Sequence, residues 1–133
     1  MADIDPQILI FGGSLVAIVA LAGLARWMGL GGNPVLADET AVKRTAGEIE
    51  DGFTPDRISI SRDKKAALTS DSAGRIMLIK RHGNRFAGRI LTRQAKAREE
   101  VDGLVVDCGE ARFGPVRLTL TDSSTWADRI NRL

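Results

Sequence analysis

One cysteine, Cys108, and one histidine, His82, are all that the 133 residues hold of those two types. A disulfide framework within the chain is thereby excluded, and a zinc site built only from Cys and His would lack ligands. Aromatic residues make up 5% of the chain, which leaves few platforms for stacking nucleic-acid bases. Residues 38–133 carry 18 Lys/Arg against 15 Asp/Glu. That surplus is too slight to argue for nucleic acid. Two further gaps organise what is present. No Lys or Arg precedes Arg26, and no Asp or Glu occurs from Ser72 through Arg98, a stretch with eight Lys/Arg.

The first gap surrounds an apolar run. Residues 8–25, ILIFGGSLVAIVALAGLA, hold no charge, and Ser14 is the one hydroxyl. Eighteen residues at ~1.5 Å each cover about 27 Å, close to a hydrocarbon core of ~30 Å. The run lacks the alternation of a surface helix. It can continue through Trp27, Met28 and Leu30, with Arg26 snorkelling and Trp27 at the interface. Residues 1–30 are therefore expected to form a single transmembrane helix. A secretory signal peptide is the rival, because Val35-Leu36-Ala37 before Asp38 places small residues where a peptidase cuts. The Asp-containing start and the Arg-Trp that follows the run favour an uncleaved anchor. Arg26, Lys43 and Arg44 after the span, against Asp3 and Asp5 before it, place the N-terminus outside and the bulk of the chain in the cytoplasm. Cys108 suits a reducing compartment. Gly13, Ala17, Ala20 and Gly23 fall near one stripe of the helix, where small residues let a second membrane helix approach. Such residues are also common in any single span.

Beyond the membrane run, Gly29-Leu30-Gly31-Gly32-Asn33-Pro34 breaks the helix, and residues 31–37 form a Gly/Pro linker. Residues 38–53 predict a short amphipathic helix with Val42, Ala46, Ile49 and Phe53 on one face, Asp38 or Thr40 as N-cap and Gly52 as its stop. From residue 54 the period turns from helical to alternating. Strands are expected around Ile58–Ile60, 65–69, 75–81, 85–92, 95–100 and Leu104–Val106, and a final one over Val116–Leu120. Asp122 or Ser123 then caps a helix with Trp126, Ile130 and Leu133 on one face. The fold class is α+β: a membrane helix, a flanking short helix, and an antiparallel meander of six to seven strands closed by a C-terminal amphipathic helix.

That order, with Trp126 in a final helix directly after a strand, resembles the pleckstrin-homology-like architecture over roughly residues 57–133. The resemblance implies a strongly bent seven-stranded sheet, a roll or barrel, with one end covered by the helix. The hairpin GRIMLIKRHGNRFAGRILTR (74–93) looks like the basic first hairpin of many such domains, although as a second hairpin its basic residues would lie away from the usual phosphoinositide pocket. No ligand residue is carried over. The whole chain also resembles small bacterial single-span proteins, which implies the inner membrane and no activity.

The hairpin is the candidate site. With Gly83-Asn84 as a two-residue turn, His82 faces Arg85, Lys80 faces Ala87 and Leu78 faces Arg89. Lys80, Arg85, Arg89 and Arg93 then share one side, while Arg81, Phe86, Ile79, Met77 and Ile90 share the other, expected to be the core side. The basic side suits anionic lipid or an acidic partner protein. The bland alternative is an edge hairpin protected by its charge.

Catalysis has little to stand on. Cys108 has His82 as its one candidate imidazole base, and nothing in the sequence brings them together; a strand-end cysteine is more often a small buried hydrophobe. Glu99 and Glu100 alternate across a strand, and no glycine run sits between a strand and a helix as a nucleotide loop would. The expectation is a non-enzymatic accessory or assembly protein that needs no cofactor or metal and docks on a membrane-complex partner. The second reading is an anionic-lipid module; the third is an enzyme of unrecognised type.

Overall fold

A computed structural model of the protein describes residues 6–27 and 34–133. The elements are α1 (Pro6–Trp27), α2 (Glu39–Ile49), β1 (Arg57–Ile60), β2 (Ala66–Ser70), β3 (Ile76–His82), β4 (Arg85–Ile90), β5 (Lys96–Glu100), β6 (Gly103–Asp107), β7 (Val116–Leu118) and α3 (Ser123–Asn131). The chain divides into two compact units, Met1–Asn33 and Pro34–Leu133.

The first unit holds α1, which is long and apolar enough to cross a membrane. Pro6 opens it, where a missing N–H costs nothing. Gly12 and Gly13 sit inside the helix without breaking it. Its apolar side chains are uncovered: Phe11 is 81% and Trp27 85% exposed. The expected continuation through Met28 and Leu30, and the break over 29–33, lie outside the described residues.

In the second unit, Asp38 is the N-cap of α2, its carboxylate accepting from the Ala41 N–H at 2.9 Å. The helix stops at Ile49, earlier than the spacing of Phe53 predicts. Glu50 turns to extended backbone, and Gly52 takes a positive φ of 82° in the turn that follows. Phe53 is buried nonetheless; the turn, not a helical repeat, brings it inward.

Seven antiparallel strands form two sheets, β1-β2-β3-β4 and β5-β6-β7. The first sheet is covered on both faces. Ala67, Met77 and Ile79 pack with Leu36, Val42, Ala46 and Phe53 under α2. Ala66, Leu68, Ile76 and Leu78 pack with Leu104, Val106 and Leu118 of the second sheet and with Trp126 and Ile130 of α3. Unbroken apolar runs at Ala66-Ala67-Leu68 and Ile76-Met77-Leu78-Ile79 are what a strand buried on both faces requires. Leu36 belongs to this core although its segment reads as linker. It is fully buried, and its N–H donates to the Lys64 carbonyl at 2.9 Å.

The two sheets are stitched where β1 and β7 end. The Arg62 N–H donates to the Thr119 carbonyl at 3.0 Å, and the Thr119 N–H donates to Ser61 Oγ at 2.9 Å. The last strand therefore ends at Leu118 rather than Leu120. Asn131 fixes α3 to the β5 backbone, accepting from the Ala97 N–H at 3.0 Å and donating to its carbonyl at 2.9 Å. Asp122 occupies the N-cap position of α3, but its carboxylate makes no capping bond. It accepts instead from Ser59 Oγ at 2.6 Å and from the Trp126 indole at 3.1 Å.

Between β2 and β3, Asp71 organises the turn, accepting from the N–H groups of Ala73 and Arg75 and from Arg75 Nε at 2.6 Å. Burial pushes its carboxyl upward, but the Arg75 bonds and charge outweigh that, and it is held below the ordinary aspartate value. Gly103 marks the closest approach within the second sheet. A Cβ there would fall far inside van der Waals contact with the Leu118 carbonyl oxygen. Gly103→Ala should therefore cost about 1–3 kcal/mol, seen as a lower urea midpoint at unchanged slope. An unshifted midpoint would mean that β6 and β7 are less closely paired.

Candidate docking surface at the domain entry

The β3–β4 hairpin has the register its sequence predicts. His82 pairs with Arg85, Lys80 with Ala87, Leu78 with Arg89 and Met77 with Ile90. The Leu91 N–H extends the ladder to the Ile76 carbonyl at 2.8 Å. Gly83 takes a positive φ of 64°, the conformation a two-residue hairpin turn needs and glycine supplies most easily. Two strands, β1 and β2, precede the hairpin in its sheet.

Both faces of β3 are interior from Ile76 to Ile79, whereas β4 is only partly covered. The side that carries Lys80, Arg85 and Arg89 also carries Ile76, Leu78 and Leu91, which are buried against the second sheet and α3; Arg93 lies beyond β4, in the turn before β5. Basic and apolar residues thus share that side. The four basic residues fall into two groups. Lys80 Nζ donates to the Phe113 carbonyl and stands 4.4 Å from that ring's centroid. Arg89 Nε pairs with Glu110 Oε2 at 2.5 Å, and its guanidinium lies 5.0 Å from the Phe113 centroid. Phe113 itself is buried, so Lys80 and Arg89 form a cationic lid over an aromatic core residue. Arg85 and Arg93 are exposed, and neither enters an ion pair among the described residues.

The other side lies under α2. Gly88 is buried, and a Cβ there would come 2.7 Å from Ile49 Cδ1; the missing side chain lets α2 lie against β4. Arg81 pairs with Phe86 on this side as expected, but it does not enter the core. Its guanidinium reaches the Pro34 carbonyl at 3.4 Å, and its N–H donates to the Lys65 carbonyl at 2.8 Å. The entry of the chain at Pro34–Leu36, the β1–β2 turn with Lys64 and Lys65, and the β3–β4 turn thus meet at one corner.

Beside that corner is a groove of about 590 Å³ lined by Pro34, Val35, Arg44, Thr45, Glu48, Ile49, Asn84, Arg85 and Phe86 among others. Arg44 projects from α2 and Arg85 from the hairpin. In the sequence Arg85 stands out through the hairpin and Arg44 only through its place after the span, and nothing local groups Lys64, Lys65 and Arg81 with them. Their shared position comes from strand pairing and carries no local signal.

The remaining candidates separate. Cys108 packs in the larger core, its thiol 3.8 Å from Glu110 Oε2. Glu100 is held by Arg98 at 3.1 Å and Arg117 at 2.9 Å. Among the described residues no group of three His, Cys, Asp or Glu is placed to hold a metal. Gly13, Ala17, Ala20 and Gly23 are all exposed on α1. Comparison of the chain with family models, curated proteins and solved structures finds no match.

Proposed function

We propose that this protein is a non-enzymatic, single-span membrane protein whose cytoplasmic β domain docks on a partner in a membrane complex, as an accessory or assembly subunit. The observation that carries the proposal is α1. Its 22 residues present apolar side chains outward along the whole length, and so much exposed hydrocarbon calls for lipid or another apolar helix around it. The stripe Gly13, Ala17, Ala20 and Gly23 offers the side along which a partner helix packs. Arg26, Lys43 and Arg44 after the span favour a cytoplasmic domain at the inner membrane of a bacterium.

Leu36 supports an anchor over a cleaved leader. A cut between Ala37 and Asp38 would remove a residue that is wholly buried with Val42, Phe53 and Met77. Sheets of four and then three strands in chain order, followed by a helix bearing a buried Trp126, are in keeping with a pleckstrin-homology-like domain. Domains of that architecture serve many purposes, so the likeness supports a docking module without naming its ligand.

The test is purification in mild detergent through a tag after Leu133. A membrane protein should co-purify in fixed stoichiometry, and the association should weaken when Gly13 and Ala20 are replaced by leucine. Recovery of monomer alone from native membranes would count decisively against the accessory role.

A further inference from the structure

We propose that the corner of the β domain around Pro34, with its groove between α2 and the β3–β4 turn, is a contact surface for anionic phospholipid headgroups. The proposal rests on the reading of α1 as a membrane span.

Position is the first argument. Six residues separate Trp27 from Pro34, and even a fully extended chain covers that interval in about 25 Å. That contour is an upper bound on how far Pro34 can stand from the membrane once α1 spans it. Leu36 is bonded to Lys64, and Arg81 to both Pro34 and Lys65, so this corner is tied to the point of entry.

Charge is the second. Lys64, Lys65 and Arg81 are bonded to the entry segment or to each other, and Arg44 and Arg85 line the groove beside Pro34; Asp38, Glu39, Glu48 and Asp63 are the acids of the same segments. Each ion pair among the described residues lies elsewhere: Arg57–Asp122, Arg75–Asp71, Arg89–Glu110, Arg98 and Arg117 with Glu100, and Arg132–Asp128. Arg81 is partly held by the Pro34 carbonyl, while Arg44, Lys64, Lys65 and Arg85 enter no ion pair among the described residues. A basic side chain at an anionic bilayer shifts the contact equilibrium about fivefold.

The third argument is the groove. Arg44 and Arg85 line it with Thr45 and Asn84, a set of donors suited to phosphate oxygens, and the guanidinium fork matches them well. Glu48 lines it too, so the groove favours the single charge of a phosphodiester over a doubly charged phosphomonoester. Docking there would fix the domain's orientation on the bilayer and present its remaining surfaces to the partner.

The experiment uses the full chain in nanodiscs, in a Cys108→Ala background, with a fluorophore at His82→Cys beside the β3–β4 turn. A second version carries the label at Ser72→Cys in the β2–β3 turn, at the other end of the sheet. Lipids bearing a nitroxide on the headgroup report proximity by quenching. At position 82, quenching should be strong in phosphatidylglycerol discs and weak in pure phosphatidylcholine, and high salt should release it. At position 72 it should stay weak throughout. Arg44→Glu with Arg85→Glu should move the contact equilibrium more than tenfold toward release, while Arg44→Lys with Arg85→Lys retains most of the contact. Lys64→Glu with Lys65→Glu, confined to an exposed turn, should act in the same direction and serves if the first pair melts early. Equal quenching in the two lipids, or contact that survives both reversals, overturns the inference in favour of a protein ligand at this corner. Recovery of the chain outside the discs overturns the membrane span itself.

Discussion

Replacing Trp126 by alanine should lower the stability of the β domain by about 3–5 kcal/mol, as truncation of a large buried aromatic does. Trp126 is fully buried where α3 meets the sheets, and Ile130, one turn on, is buried beside it. Its indole N–H donates to Ser59 Oγ at 2.8 Å and to Asp122 Oδ2 at 3.1 Å. Two cations flank the ring, Arg57 at 5.7 Å and Arg129 at 5.2 Å from its centroid. Arg129 in turn donates to Ser70 Oγ at 3.2 Å, so the indole connects β1, β2 and α3. Trp126→Phe separates the contributions. It retains most of the apolar volume and loses the N–H, and should cost about 1–2 kcal/mol because the indole's bonds involve a charged acceptor. A melting temperature for Trp126→Ala that falls by more than about 10 °C is expected for a domain of this size. A fall of only a few degrees would mean that α3 does not close the second core.

Leu36→Ala should cost about 2–5 kcal/mol, a large effect for a residue placed between a glycine-rich segment and a helix cap. Leu36 has no exposed surface and fills the space between α2 and the strand residues Ala67, Met77 and Ile79. Its backbone N–H is bonded to Lys64, so the cavity left by truncation cannot close by letting the segment drift. Val35, its neighbour, is 47% exposed, and Val35→Ala should stay within about 0.5 kcal/mol. Chemical denaturation of the two variants measures the contrast directly. The same residue links stability to processing, since a chain beginning at Asp38 would lack it and should be destabilised at least as much as Leu36→Ala. Sequencing the mature N-terminus from membranes checks that consequence. An N-terminus at Asp38 on a stable, soluble domain would sink both the anchor and the assigned role of Leu36.

Local periodicity alone determined a good deal of this protein. An uncharged run of sufficient length could be only a helix with an apolar surface. Alternation at Ile58–Ile60 and Val116–Leu118 marked strands, Gly83-Asn84 set the hairpin register, and Trp126 with Ile130 marked the inward side of the last helix. These features depend on residues within a few positions of one another, where backbone geometry ties pattern to structure. What tertiary structure decided is which partner each side chain meets. Asp122 stands at a helix start, yet a serine 63 positions earlier and an indole one turn later take its carboxylate away from capping. Lys80 and Arg89 look like free surface charge until the β6–β7 connection brings Phe113 and Glu110 beneath them. Leu36 reads as linker because nothing near it in sequence repeats, and it becomes core because α2 and the first sheet close around it. Arg44, Lys64, Lys65, Arg81 and Arg85 come together through strand pairing and the packing of α2 on β4. Contacts of that range leave no period in the sequence, because the chain between them can vary without altering the geometry that joins them.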